Sequence, residues 1–293
     1  MGLSILLLSI GFGLVTASVL AIAGVGLSLQ FGVTNFVNFA YGDYATFGAY
    51  VALILNEHGV DIYFAMLVAG AVTAVFAFLV NRLVFQTFIR RRVKLVILLV
   101  VTIGVSLVIE YTLQSIFGAQ FQTYAVTSPN PLQIGPFLLT RGQIAIIGIA
   151  VACMLGVHLL LSRTRIGKAM RAMSDNAALA EASGIDTQRV TDLTWLVVGF
   201  LGGIAGVVLA MNTSTFTPLL GSFFLLTLFA VVILGGIGKP YGAMLGAVII
   251  GVVTEVSGAY INAAYQDAVA FVIMILLLLW RPQGLFASRG RGS

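Results

Sequence analysis

RTRIGKAMRAMSDNAALAEASGIDTQR, residues 163–189, is a polar and charged segment set between long apolar runs. Whether it lies inside or outside the membrane settles how everything around it is threaded. The chain as a whole is 60% hydrophobic and 9% charged, with a mean hydropathy of +1.09. Soluble domains carry roughly 25% charged residues. So few charges cannot cover a water-facing surface, so the composition implies a polytopic membrane protein. At 293 residues there is room for one compact bundle of helices and for no large soluble domain.

A membrane-crossing helix needs about 20 apolar residues. Working outward from 163–189, nine candidate spans appear: 3–29, 36–55, 62–88, 95–117, 141–161, 190–211, 222–238, 242–260 and 266–281. The seventh and ninth are short, which leaves tilted or re-entrant forms open and sets the count at about eight to ten. The predicted class is therefore all-α, a transmembrane helical bundle. With nine spans, Arg82, Arg90, Arg91, Arg92 and Lys94 fall on the same side as Arg163, Arg165, Lys168, Arg171 and Arg189. Lys239, Arg281, Arg289 and Arg291 join them, leaving Arg141 alone of the 15 Lys and Arg on the other side. Positive loops face the cytoplasm. The net charge of +5 thus reads as membrane orientation and not as nucleic-acid binding, with the N-terminus outside and the C-terminus inside. The first apolar run lacks a basic leader and is too long for a signal-peptide core, so it is read as a retained span.

In lipid, helices associate through close packing of small residues. Gly199, Gly202, Gly203 and Gly206 form two interleaved GxxxG pairs, and Gly242, Gly246 and Gly251 line another helix. These faces predict helix contacts and say nothing of substrate. The segment LGGIGKPYG between the seventh and eighth spans is either a tight turn or a pair of half-helices entering the membrane. YGDYATFGAYV (41–51) loosely resembles YGAMLGAVIIG (241–251), the mark of an internal repeat. The loop 118–140 has two readings, a lid or receptor platform and a plain connector.

Polar groups inside spans are costly and usually face a cavity or a partner. Thr102, Ser106, Glu110 and Gln114 recur every four residues, which places them on one face of one helix. Two readings stand: the wall of an aqueous path, or interhelical hydrogen bonding. Glu255, at a similar depth on another span, flanks a vestibule, meets an ammonium group or pairs with Arg141. Asn35, Asn38 and Asp43 sit in VTNFVNFAYGDY, where asparagine either breaks a helix and frees backbone groups for a ligand, or caps an ordinary helix with Asn35 as N-cap.

No enzyme constellation appears: no HExxH, no GxSxG and no phosphate-binding GxxxxGK[ST]. Cys153, the one cysteine, lies in an apolar run and reads as a packing residue. His58 and His158 make no site, and no metal site is expected. Any nucleotide that drives the protein must be bound by another chain. The Ala-rich stretch 168–183 should be helical, with Gly184 suited to its C-terminus. It reads either as a docking helix for a motor domain or as a basic amphipathic helix on lipid headgroups.

Four blocks, FGVTNFVNFAYGDYATFGAY (31–50), RTRIGKAMRAMSDNAALAEASGID (163–186), LFAVVILGGIGKPYGAMLGAVIIG (228–251) and RPQGLF (281–286), resemble the permeases of the bacterial branched-chain amino acid ABC transporter family, in the shorter of its two types. The resemblance covers nearly the whole chain. It implies one transmembrane permease domain over 1–293 in the bacterial inner membrane, surrounded by lipid. It also implies a second permease, two ATPase subunits that hold ATP and Mg, and an extracytoplasmic amino-acid-binding protein. The chain itself would carry no cofactor and bind no nucleic acid. By the same resemblance, about 168–184 becomes the coupling helix, with Arg171, Asp175, Asn176, Ala178, Glu181, Ala182 and Gly184 as the ATPase contact. Asn35, Asn38, Asp43, Thr102, Ser106, Glu110, Gln114 and Glu255 become candidates for the translocation path. The alternative is an ion- or proton-coupled secondary transporter of a small polar solute, with Asp43, Glu110 and Glu255 as carriers. A third class is a non-transporting scaffold that recruits a partner through 163–189.

Overall fold

The computed structural model describes residues 2–126, 132–134, 137–281 and 284–286. Arg289 and Arg291, part of the 118–140 loop, and the centre of the RPQGLF block lie outside the described residues. In chain order the elements are α1 (Gly2–Thr34), α2 (Tyr41–Glu57) and α3 (Ile62–Val80), which continues through a π-helical turn (Asn81–Phe85) into α4 (Gln86–Arg90). Then come α5 (Leu95–Phe117), a hairpin of β1 (Leu132–Ile134) and β2 (Phe137–Leu139), α6 (Arg141–Arg163), α7 (Arg165–Ala182) and α8 (Thr187–Thr213). The chain closes with α9 (Leu220–Gly235), α10 (Pro240–Tyr260), a 3-10 turn (Ala263–Tyr265) and α11 (Gln266–Trp280).

Seven helical stretches among the described residues are long and apolar enough to cross a membrane; the run Ile62–Arg90 and the run Ala263–Trp280 each count as one. All nine apolar segments of the sequence are largely helical; α2 has 17 residues, α9 has 16, and α11 has 15, extended to 18 by the turn before it. α2 and α9 both pack against other helices, α2 on α8, α3 and α9, and α9 on α10 and α2. α8 is central, with 72% of its most apolar stretch buried, against 22% for α5 and α6 and 6% in the run ending in α11. α8 packs between α2 and α3, α1 lies along α10 and α8, and α9 rests on α10 and α2.

The glycine pairs do what close packing in lipid requires. Gly199 and Gly203 lie against Thr73 and its neighbours on α3, while Gly206, further along α8, meets the backbone of Ala45 on α2. A Cβ on Gly206 would collide with the Ala45 carbonyl oxygen. The two repeat-like segments also behave alike. Gly42 of α2 packs on Gly221 at one end of α9, and Gly242 of α10 packs on Gly235 at the other.

Two sequence readings change, and one left open between two forms is decided. The second span begins at Tyr41, not residue 36, and Asn35 is not its N-cap. Asn35 adopts a left-handed conformation (φ 55°) that ends α1, its N–H bonded to the Phe31 carbonyl at 2.8 Å, and the helix start falls after Ala40. Residues 236–239 form a tight turn, with Gly236 and Gly238 at φ 104° and 76°, and no half-helices enter there. The segment 168–183 is not one straight helix, because Asn176 (φ −161°, ψ 101°) breaks it.

The two ends of the bundle differ in character. At one, Arg82 pairs with Asp192 at 3.7 Å, Gln86 donates to the same carboxylate at 3.2 Å, and Lys239 pairs with Asp175 at 3.8 Å. At the other, the described part of the 118–140 loop is tied down. Gln122 and Phe216 exchange backbone hydrogen bonds, the Tyr124 hydroxyl donates to the Ala49 carbonyl at 2.9 Å, and Asn56 accepts from the Ala125 N–H at 2.8 Å. β1 and β2 pair antiparallel on the same loop, which leads into α6 through a capping box of Thr140 and Gln143.

Candidate functional site

The polar stripe of α5 faces inward. Thr102 is fully buried and Glu110 is 7% exposed, while Val100 and Val108 on the outer side are 61% and 67% exposed. The four-residue spacing keeps Thr102, Ser106 and Glu110 on the face that meets α2 and α9. There the Ser106 hydroxyl donates to the Asp43 carboxylate, and the Ser222 hydroxyl of α9 donates to Glu110. Next to them Thr46 accepts the Gly221 N–H at 2.8 Å. α2, α5 and α9 are thus joined by hydroxyl–carboxylate contacts. Asp43, 1% exposed, keeps its second oxygen, Oδ1, without a hydrogen-bond partner. Among the described residues no Lys or Arg makes an ion pair with either acid. Both acids thus rest on hydroxyl groups in the interior, without a basic partner among the described residues.

Thr102 bonds its own helix, at the Leu99 carbonyl (2.7 Å), and Gln114, three turns on, is only half-buried. Asn38 is fully buried and accepts the Ala40 N–H at 3.1 Å, shaping the break between α1 and α2. Beside it, Tyr41, Tyr44 and Trp195 pack tightly: Tyr44 lies 6.3 Å, ring centre to ring centre, from each of the other two. Glu255 belongs to a different interface. On α10 it accepts a hydrogen bond from Thr16 of α1 at 2.8 Å, and no ion pair joins it to Arg141 among the described residues. Sequence reasoning missed Thr16, Thr46 and Ser222. Hydroxyls are common in spans, and Ser222 is 112 residues from its partner Glu110.

The second site is α7, at the basic end. Thr164 caps it by accepting the Gly167 N–H at 2.9 Å, and Gly167 fits against the backbone of Leu160, where a Cβ would collide. Met170 and Met173 are buried. Past the break, Asn176 accepts the Leu179 N–H at 3.0 Å and so caps a second short helical piece. Gly184 (φ 85°) ends it: its N–H bonds Glu181 and the Ile185 N–H bonds Ala180, a Schellman closure. Arg171, Asp175, Asn176, Ala178, Glu181, Ala182 and Gly184 are all exposed. Leu179 among them is 64% exposed, a large apolar side chain on a polar knuckle.

Residues 9–278 match the family model described as branched-chain amino acid transport system permease component. The chain is 28% identical to the high-affinity branched-chain amino acid transport system permease protein LivH of Salmonella typhimurium, over 93% of this chain and 92% of that one. It is equally similar, at 28%, to the corresponding protein BraD of Pseudomonas aeruginosa, over 93% of each chain. A more distant likeness, 24% over 90% of this chain and 67% of the other, joins it to the permease protein LivM of Escherichia coli K12. No solved structure matches the chain.

Proposed function

Since the chain belongs to the family of branched-chain amino acid transport system permease components, a family of multi-pass inner-membrane proteins, we propose that it is the membrane subunit of an ATP-driven importer. Its cargo is a branched-chain or related amino acid. A second permease completes the pathway, two ATPase subunits bind ATP and Mg on the cytoplasmic side, and an extracytoplasmic binding protein delivers the cargo. The likeness to both LivH and LivM supports a pair of related permeases.

The observation that carries the ATP-driven reading is the exposed knuckle of α7. A 64% exposed leucine between Asn176 and Glu181, at the end rich in arginine and lysine, is a surface suited to seating in a groove of another protein. α7 in turn packs on α1, α6 and α8, so a push on the knuckle is passed to the bundle. In this reading Arg171, Asp175, Asn176, Ala178, Glu181, Ala182 and Gly184 form the ATPase contact. Asp43, Ser106 and Glu110, with Thr102 and Gln114 on the same stripe, lie along the path, and the Asn35–Asn38 break supplies the adjacent irregular backbone. Glu255 acts apart from them, at the junction of α1 and α10.

One observation favours a second reading, a proton-coupled carrier: the unpaired acids Asp43 and Glu110. The experiment is uptake of labelled leucine into proteoliposomes holding the whole complex with its binding protein. ATP enclosed inside should drive uptake and an uncoupler should leave it intact. Glu181→Arg should cut uptake at least tenfold, through a like-for-opposite charge change at the contact, while the chain still inserts and purifies. Full uptake by Glu181→Arg sinks the coupling assignment. Uptake by this chain alone, abolished by the uncoupler, selects the proton-coupled reading.

A further inference from the structure

Between the end of α1, the first part of α7 and the turn into α10 lies a cavity of about 240 Å³. Its buried wall is apolar, formed by Val33, Leu161 and Met170, with one exception. Ser28, fully buried, brings a hydroxyl with no hydrogen-bond partner in the protein. The rim is charged and open to water. Arg171 stands there with Lys239 and Asp175, whose side chains are 43% and 76% exposed. α10 starts at Pro240 on the same rim, so the positive end of its helix dipole adds to the two cations.

We propose that this cavity binds a free zwitterionic amino acid with a compact branched side chain from the cytoplasm, and that the bound molecule restrains the transporter. The division of chemistry within the cavity selects the ligand. The carboxylate meets Arg171, Lys239 and the amino end of α10. The ammonium meets Asp175, taking the place of the exposed Lys239 contact, a surface ion pair that is cheap to exchange. The hydrocarbon goes to the wall of Val33, Leu161 and Met170, away from water. A polar atom reaching Ser28 gains a hydrogen bond that the surrounding protein does not offer. An amine without a carboxylate, or a fatty acid without an ammonium, satisfies only half of the rim.

The wall and rim come from α1, α7 and the α9–α10 turn. A bound molecule therefore ties the first part of α7, with Arg171 and Asp175 at the near edge of the proposed ATPase contact, to α1 and to the turn into α10. The ligand class follows from the cavity itself; the restraint rests on the coupling role proposed above for α7. Accumulated cargo would then slow its own import.

The test has two arms. First, the purified complex without binding protein or ATP is titrated with radiolabelled L-leucine by equilibrium dialysis. Saturable binding is expected. Val33→Phe, which fills the cavity, should abolish it, and Lys239→Ala, on the exposed rim, should weaken it by about tenfold, the worth of one charge-assisted hydrogen bond. Isoamylamine and isovalerate should compete at least tenfold less well than leucine. If Val33→Phe does not fold, Lys239→Ala decides. Absent binding in the native complex, unchanged binding in the variants, or equal competition by the single-charge analogues overturns the site. Second, leucine enclosed with ATP in proteoliposomes should slow uptake severalfold in the native complex and not in Lys239→Ala; equal slowing in both, or none, overturns the restraint. Dialysis needs neither ATP nor uptake, so failure of the importer reading leaves the first arm intact and shows itself separately as absent ATP-driven uptake.

Discussion

A single methyl group separates glycines that hold this bundle together from glycines that do not. At Gly206 a Cβ would run into the Ala45 carbonyl, and both are backbone-anchored, so neither can yield cheaply. At Gly148, on the outer side of α6, a Cβ meets nothing within 4 Å. Gly206→Ala is therefore expected to destabilise the protein by about 1–3 kcal/mol, the usual cost of overpacking. Gly148→Ala should be neutral or stabilising by up to about 1 kcal/mol, the helix-propensity gain. Thermal unfolding of the two variants in detergent checks this, and equal midpoints would contradict it. In sequence both are glycines in apolar runs; only the GxxxG spacing set Gly206 apart, and it could not name the neighbour. The acids show the same limit. Thr102, Ser106 and Glu110 were legible as one face because helical period is local. That Glu110 meets Ser222, and Glu255 meets Thr16, was not, because those contacts join positions 112 and 239 residues apart.

At the scale of elements, α7 was the most legible and still differed. Its composition announced a helix, and Gly184 does close it through a left-handed turn. The interruption at Asn176 escaped because propensity sums over a window, and an Ala-rich window hides one residue whose side chain competes for the backbone. Asn176 caps the Leu179 N–H at 3.0 Å, a contact worth about 1 kcal/mol. Asn176→Ala removes the cap, favours a continuous helix and turns Leu179 to a new direction. Uptake per transporter is expected to fall by about fivefold with unchanged membrane insertion, measured as initial uptake rate normalised to purified complex. Undiminished uptake would mean that the break has no part in coupling. The break between α1 and α2 was half-legible: asparagines flagged it, but which residue ended α1 and which began α2 depended on a left-handed Asn35.

For the whole molecule, the described Lys and Arg other than Arg141 fall at one end of the apolar segments, with Arg82 joined to Asp192 and Lys239 to Asp175. The expected orientation places α7 in the cytoplasm and the α2–α3 turn outside. Cys153 is the one native cysteine, so with Cys153→Ala as background, Glu57→Cys and Ala177→Cys test this with a membrane-impermeant maleimide. Intact right-side-out vesicles should label the first, and the second only after permeabilisation; the reverse pattern would invert the bundle. Class, the approximate positions of the apolar segments and the polar helix between the fifth and sixth of them were determined by the sequence alone, because each follows from hydropathy, charge and period along a continuous stretch. The tertiary structure alone decided that α2 and α9 are short helices packed on one another, that Asp43 and Glu110 share one hydroxyl-lined seam while Glu255 lies elsewhere, and that a charged-rimmed cavity sits between α1, α7 and the turn into α10. Those facts depend on which helices touch, and in lipid that choice is made by close fit between surfaces far apart in the chain, which no local pattern records.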